Sequence, residues 1–245
     1  MNKKCTFSIV TVSLNSSKLI SKTIESVLQQ EYPFKEYIII DGGSTDGTAD
    51  IISKYQNQLS YWCSEPDGGI YQGMNKGIQH AKNKWIIFMN AGDTFADSHV
   101  LSNIALYADD EKYDVLYGDI FTTKNGELKL KTASEPCNKQ RMYFCHQAAF
   151  VKTSILKATP FNTKFKMSAD LFFFKHCCLL GYHFLHVPVT VAVYDSRGIS
   201  NTQRIKGLQE NIRIVKELDK GWDRIRFLCK LYYVVFWIKL TKRGH

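Results

Sequence analysis

Residues 7–13, Phe-Ser-Ile-Val-Thr-Val-Ser, and residues 37–41, Tyr-Ile-Ile-Ile-Asp, decide the fold class. Both are short runs of β-branched and aromatic residues, and such runs suit strands buried on both faces. Between them, Leu19, Ile20, Ile24, Val27 and Leu28 recur at spacings of three and four, the period of one helix face. Ser16 or Ser17 is placed to cap that helix, and Tyr32-Pro33 stops it. The alternation continues. Ser44-Thr45-Asp46 precedes a short helix through Ile51 and Ile52, and 60–64 reads as a third strand. Residues 69–81 read as a helix with Ile70, Met74, Ile78 and Ala81 on one face, and 85–89 as a fourth strand. Strand and helix in alternation predict an α/β chain with a mostly parallel central sheet and helices on both faces.

After about residue 113 the pattern changes. Residues 114–122 and 128–132 read as strands near an edge or in a hairpin, with Asn125-Gly126 as the turn, and 184–194 as a further strand. Two amphipathic helices follow, 205–218 and about 222–240, with Gly221 between them. The expected organisation is a catalytic domain over 1–200 and a basic helical tail over 201–245.

Composition narrows the function classes. The 245 residues are 44% hydrophobic and 22% charged, without repeats, which excludes a disordered, collagen-like or coiled-coil chain. No window reaches the roughly 18–20 uncharged apolar residues of a membrane span. The basic start Met1–Cys5 leads into Phe7–Leu14 with no small-residue cleavage site, and reads as a first strand rather than a signal peptide. The seven cysteines are scattered with no C-x-x-C pair, which reads as reduced cytosolic thiols. The net charge of +9 is uneven: residues 201–245 hold 11 Lys+Arg against 4 Asp+Glu, and residues 1–200 hold 21 against 19. A basic patch confined to the tail argues against nucleic acid.

In an open parallel sheet, ligands bind beyond the carboxyl ends of the strands. Those ends carry Thr11 to Asn15, Asp41, Glu65 with Asp67, and Asn90 with Asp93. Carboxylates converging on one edge need cationic or hydrogen-bonding partners there. No G-x-G-x-x-G follows the first strand and no P-loop occurs, so neither a dinucleotide enzyme nor a P-loop NTPase is indicated. Strand-end acids suit a nucleoside's hydrogen-bond donors, or a hard cation bridging a diphosphate.

Four segments, Phe7–Asn15, Ile40–Thr48, Ser64–Tyr71 with Met74–Gly77, and Phe88–Asp93, resemble family 2 glycosyltransferases of the Rossmann-like GT-A fold. They are closest to the bacterial branch that builds colanic-acid and capsule-type polysaccharides. The resemblance runs over about residues 5–200. It implies an inverting transferase moving a sugar from a UDP- or GDP-sugar to a glycan on a polyprenyl carrier, at the inner face of the cell membrane.

By position, the resemblance implies nucleotide contacts at Thr11, Asn15, Asp41 and Asp67. Asn90-Ala-Gly-Asp93 falls in the D-x-D region, where only Asp93 keeps the carboxylate expected to hold Mg²⁺ or Mn²⁺. Asn90 offers a neutral oxygen to the donor. Asp170 falls at the general base, with Ala169 where the family has Glu, and the apolar run Leu171–Phe174 is expected to raise its pKa. His146-Gln147 matches a His-Gln of the acceptor or donor pocket, and Arg197 lies in a loop suited to pairing with diphosphate. The tail's aromatic block, Leu231–Ile238, flanked by Lys230 and Lys239, suits a helix lying on an anionic membrane surface. The reduced D-x-D and Ala169 leave a second reading open: a non-catalytic nucleotide-sugar- or membrane-binding assembly factor with a degenerate site.

Overall fold

The computed structural model describes residues 5–124, 127–136, 144–195 and 203–241. The predicted Asn125-Gly126 turn, Arg197 and Cys137 lie outside these residues.

The first half is a parallel unit. Strands β1 (Phe7–Ser13), β2 (Lys35–Asp41), β3 (Tyr61–Ser64) and β4 (Trp85–Phe88) run in the order β3-β2-β1-β4, all parallel. Helices α1 (Ile20–Leu28), α2 (Thr48–Ser53) and α3 (Ile70–His80) connect them. Alternate residues of each strand enter different cores, as the pleat requires. Phe7, Ile9, Ile39 and Ile87 join α1, α2 and α4 (Val100–Ala108) on one side. Val10, Val12, Ile38, Ile40 and Phe88 join α3, α5 (Thr153–Ala158) and α6 (Ala169–Leu179) on the other. Helix α3 approaches the sheet closely through Gly77, where a Cβ would lie 2.4 Å from Val10 Cγ1.

The second half extends the sheet with mixed pairing. Strand β8 (Ala149–Lys152) is antiparallel to β4 and to β6 (Val115–Lys124), and β9 (Phe184–Tyr194) runs parallel to β6. A short β5 (Thr94–Phe95) pairs with β9, and β7 (Glu127–Lys131) forms a hairpin with β6. The start of α1 departs from the expected cap. Its first amides reach the backbone carbonyl of Ser16, at 2.9 Å from both Leu19 and Ile20, and no serine side chain caps it.

Residues 203–241 form two helices that pack on each other and bond to the body. Helix α7 (Arg204–Leu218) and helix α8 (Gly221–Thr241) pack together through Leu208, Ile212 and Val215 against Phe227, Leu231 and Val235. Two buried acids tie the pair to α6. The Glu210 carboxylate accepts the backbone amides of Lys166, Met167 and Ser168, at 2.9, 2.8 and 3.1 Å, just before α6 begins. Asp219, between α7 and α8, meets Lys175 of α6 at 2.8 Å, and their side chains are 6% and 1% exposed. The Ser168 amide is buried where α6 begins, and a buried amide needs an acceptor.

Removing one partner from a buried ion pair leaves an uncompensated charge and costs about 3–5 kcal/mol. Asp219→Ala is therefore expected to lower unfolding stability by about that amount, read as a fall in the denaturant midpoint. The double change Lys175→Met with Asp219→Leu is expected to recover most of the loss.

Candidate functional site

The first three strands end in register. Ser13, Asp41 and Ser64 are paired neighbours across β1, β2 and β3. Asp41 is fully buried there and accepts four hydrogen bonds. Oδ1 takes the hydroxyls of Ser13 and Ser44 at 2.8 and 2.6 Å, and Oδ2 takes the Ser44 amide and the Ser64 hydroxyl at 2.8 and 2.6 Å. Burial alone would raise its pKa, but these four donors hold the carboxyl below its ordinary value. Asp41 is thus the clasp of three strand ends, and it is not among the residues lining the cleft.

Thr11 and Asn15, also expected at the nucleotide, bond within the protein. Thr11 is fully buried, with its hydroxyl 2.9 Å from that of Tyr37 and donating to the Met89 carbonyl at 2.7 Å, so it staples β1 to β2 and β4. Asn15 is exposed, with a left-handed φ of 48°, and its Oδ1 accepts the Thr45 amide at 3.0 Å. It ties two loops together and is not among the residues lining the cleft.

The cleft occupies about 760 Å³ beyond these strand ends. Asp67, Asn90, Asp93, His146 and Gln147 all line it, as the sequence reading expected of site residues. Asp67 accepts the Gly69 amide at 2.8 Å just before α3, and its carboxylate lies over Gly42 and Gly73, where a Cβ would meet Oδ2 at 3.1 Å in each case. Asp93 is 4% exposed. Its Oδ2 accepts Gln147 Nε2 at 3.0 Å and its Oδ1 accepts the Asp195 amide at 2.9 Å. Burial dominates and pushes the Asp93 carboxyl up to about 6.

The loop carrying Asn90 and Asp93 is stapled by Thr23 of α1. Its hydroxyl donates to the Asp93 carbonyl at 2.8 Å and accepts the Gly92 amide at 2.9 Å. Gly92 takes a φ of 105°, and a Cβ there would meet Asp195 Oδ2 at 3.2 Å. Asp195 thus lies against the Gly92 backbone, and both Asp93 and Asp195 line the cleft.

Beside His146 stands Asp170, half-buried in the first turn of α6. Its Oδ2 lies 3.0 Å from His146 Nδ1, and Oδ1 accepts the Tyr71 hydroxyl and the Leu171 amide, both at 2.9 Å. The apolar run after Asp170 was expected to raise its pKa. Burial does act in that direction, but the bonds from His146, Tyr71 and Leu171 outweigh it and hold the carboxyl below its ordinary value. On the far side of the ring, His146 Nε2 lies 3.2 Å from Asn90 Nδ2, while Asn90 Oδ1 is buried with no hydrogen-bond partner among the described residues. The neighbouring Cys145 thiol donates to Gln147 Oε1, and burial pushes it up to about 12.

The remaining wall comes from α7 and the loop before α6. Lys166, Lys206, Gln209 and Arg213 line it, and Lys166 Nζ bridges to the Gly68 carbonyl at 2.9 Å. The sequence reading missed Tyr71, Asp195, Glu210 and these cations. For Lys206 and Arg213 the signal is legible only once α7 is placed against the cleft.

Comparison with known proteins settles the class. The sequence profile of glycosyl transferase family 2 matches residues 8–184. The chain belongs to this family. A PGL/p-HBAD biosynthesis glycosyltransferase of Mycobacterium bovis is 27% identical to the transferase over 239 residues, covering 89% of this chain and 91% of that one. Among solved structures, TarS of Staphylococcus aureus in complex with UDP superposes with a TM-score of 0.68 at 19% identity, covering 93% of this chain and 70% of that chain. The mannosyltransferase PcManGT of Pyrobaculum calidifontis, in complex with GDP-Man and Mn²⁺, gives 0.70 at 16% identity, with 94% and 69% covered. At such identities the likeness is one of fold, and the fold is GT-A.

Asp41→Asn tests the clasp. An amide there presents donors to donors, and leaving such buried groups unpaired costs about 1–3 kcal/mol. Because the native carboxyl titrates below its unfolded value, its contribution is present above the unfolded-state pKa and is lost as pH falls through the native one. The stability gap between wild type and Asp41→Asn is therefore expected to be full at neutral pH and to shrink in acid, read by denaturant titration across pH.

Proposed function

We propose that this transferase moves a sugar from a nucleoside-diphosphate donor to a hydroxyl of a cell-surface glycan or glycolipid carried on a lipid. The observation that carries the reading is the Asp93 corner of the cleft. Asp93 accepts the Asp195 amide there, and Asp67, Asp93 and Asp195 line one cavity with Lys166, Lys206 and Arg213. Charged groups of both signs around one cavity suit a diphosphate donor.

The same corner fits a divalent cation in part. Asp93 and Asp195 are hard oxygen donors of the kind Mg²⁺ and Mn²⁺ prefer, and a diphosphate would supply the remaining ligands. Among the described residues, no group of three or more His, Cys, Asp or Glu forms a complete cage. When bound, the cation neutralises charge on the departing diphosphate. The residues themselves do the rest. Asp67 contacts the nucleoside, and Lys206 and Arg213 attract the phosphates. The acceptor hydroxyl loses its proton at the Asp170–His146 pair, and its oxygen attacks the anomeric carbon from the face opposite the diphosphate, which inverts that centre. The donors bound by TarS and PcManGT, UDP-GlcNAc and GDP-Man, are the first to test here.

The basic end of the chain supports a membrane partner. On α8, Trp222, Ile225, Tyr233, Phe236 and Leu240 are exposed, on the side opposite the Phe227, Leu231 and Val235 that pack on α7. Arg226 and Lys230 border that stripe on one side and Lys239 on the other. Among the described residues, no helix is long and apolar enough to cross a membrane. An apolar stripe bordered by cations fits a helix lying in the interface of an anionic bilayer.

Two measurements test the reading. UDP or GDP with Mn²⁺ is expected to raise the unfolding temperature. Asp170→Asn is expected to keep that protection while cutting sugar transfer by about 10²–10⁴-fold. Protection without metal and without any donor cleavage would instead favour a binding factor with a degenerate site. Separately, the full chain is expected to sediment with phosphatidylserine-containing vesicles at low salt. Trp222→Ser with Phe236→Ser is expected to weaken binding by at least about tenfold, given the apolar area withdrawn. Unchanged sedimentation would remove α8 as the anchor.

A further inference from the structure

Asp170 is held by three donors, and they are not shared equally between its two oxygens. We infer that Tyr71 is a positioning residue for this base: its hydroxyl and the Leu171 amide together fill Oδ1, which leaves Oδ2 to take the proton of the acceptor hydroxyl. The inference rests on the transferase reading above and deepens it.

A carboxylate offers about four lone-pair positions, two on each oxygen. Oδ1 accepts the Tyr71 hydroxyl and the Leu171 amide, both at 2.9 Å, so both of its positions are used. Among the described residues, Oδ2 is bonded by His146 Nδ1 alone, at 3.0 Å, and one of its positions is left for a substrate hydroxyl. The Asp170 side chain keeps 19% of its surface exposed, and Tyr71 and His146, which hold it, both line the cleft. Turning the carboxylate about its bond would exchange the two oxygens, and the pair of donors on Oδ1 opposes that turn.

The Tyr71 hydroxyl is itself fixed. The residue is 5% exposed, and its ring lies 5.5 Å from that of Phe161. Phe161 in turn meets Phe88 of β4 and Phe173 of α6, each at 5.4 Å. One turn along α3, Asn75 exchanges two hydrogen bonds with the Phe161 backbone, giving Nδ2 to the carbonyl at 2.8 Å and accepting the amide on Oδ1 at 2.9 Å. Lys166, just before α6, reaches back to the Gly68 carbonyl at 2.9 Å. Helix α3 is thus pinned to the segment that delivers Asp170. The loop at its start carries Asp67, so Tyr71 ties the base to the element that bears the nucleoside contact. Burial and the Asp170 charge raise the Tyr71 phenol well above its ordinary value, so it stays a donor at neutral pH.

In the reaction, the acceptor O–H bond breaks and its proton passes to Asp170 Oδ2. The acceptor oxygen bonds to the anomeric carbon. The bond from that carbon to the diphosphate breaks, and its electron pair leaves with the nucleoside diphosphate. A base held in one orientation needs no reorganisation at that moment. The titratable groups around Asp170 are Tyr71 from α3, His146 and Cys145 before β8, Asp93 across His146, and Glu210 from α7, whose charge acts on Tyr71.

The experiment uses the full chain with Mn²⁺ and either UDP-GlcNAc or GDP-Man, whichever protects against unfolding, and follows donor cleavage across pH. Tyr71→Phe removes a single hydroxyl. It is expected to lower kcat about ten- to a hundredfold, with donor KM and nucleotide protection nearly unchanged. The acidic limb of its pH profile is expected to move to higher pH, because Asp170 loses a donor to its charged form. Phe161→Leu loosens the same packing without touching Asp170, and is expected to lower the unfolding temperature and leave the limb in place. A Tyr71→Phe enzyme with wild-type kcat, a loss that falls on donor KM instead, or an equal limb shift in Phe161→Leu would each overturn the inference. Carbon-13 NMR of the Asp170 carboxyl, assigned by its disappearance in Asp170→Asn, supplies a readout that needs no turnover. Tyr71→Phe is expected to raise the pH at which that signal titrates, and an unmoved titration overturns the inference even if neither donor is cleaved. Failure of the transferase reading would show itself differently, as wild-type protein that no nucleotide protects and that cleaves neither donor.

Discussion

The hydrogen bonds around Asp41 hold the site together. Parallel strands end with their carbonyls and side chains converging, and three adjacent ends must be closed before any of them can present a ligand group. One buried carboxylate does this with four donors from β1, β3 and the loop after β2. A buried charge is costly unless fully hydrogen-bonded, and here the bonding is complete. The clasp fixes Ser44, whose hydroxyl accepts the Asn15 amide at 2.7 Å, and Asp46 continues the closure by accepting the Ser17 amide at 3.0 Å. The loops at this end of the cleft are therefore tied together largely by side chains such as Asp41, Ser44 and Asp46 that are not among its lining residues.

A second set of buried acids extends the closure to the other wall. Glu210 gathers three successive amides ahead of α6, and Asp219 pairs with Lys175 within α6. Both acids belong to the last fifth of the chain. Helix α7 thus has two faces with different duties. One lines the cleft with Lys206 and Arg213, and the other carries α8 with its exposed aromatic stripe. The exposed aromatic stripe and the cationic wall of the cleft are therefore carried by neighbouring helices. An acceptor whose sugar hangs from a membrane lipid would meet both.

The parallel half of the fold was legible in the sequence because it obeys local rules. Strand runs at 7–13 and 37–41 and the i, i+4 face of α3 are each readable in one window. Helix α4 was readable on the same grounds, since Val100, Ile104 and Ala108 keep a helical period, and it was simply not read. The unit formed by α6, α7 and α8 was not readable, because the bonds that join it span 40 residues or more. The site divided along the same line. Asp67, Asn90, Asp93, His146 and Gln147, which sit at strand ends or in a matched motif, all line the cleft. Thr11 and Asp41 carried equally polar side chains at equally suggestive positions, and both face inward. Strand position gives the location of a polar residue, whereas pleat parity and neighbouring hydroxyls decide whether it serves the ligand or the scaffold.

Asp170 shows the same distinction acting on chemistry. An apolar run of Leu171 to Phe174 argues for desolvation, and desolvation does oppose its ionised form. The opposing donors come from elsewhere in the chain: Tyr71 lies 99 residues away and His146 lies 24 away. Their combined effect exceeds that of burial and reverses the sign expected from local sequence. Asp93, in a setting with only two such donors, keeps the direction that burial dictates. Two neighbouring aspartates are thereby shifted in opposite directions, Asp170 down and Asp93 up. Divergent environments of this kind are how a single site separates its duties among like residues. The member shifted down is the one that faces a histidine.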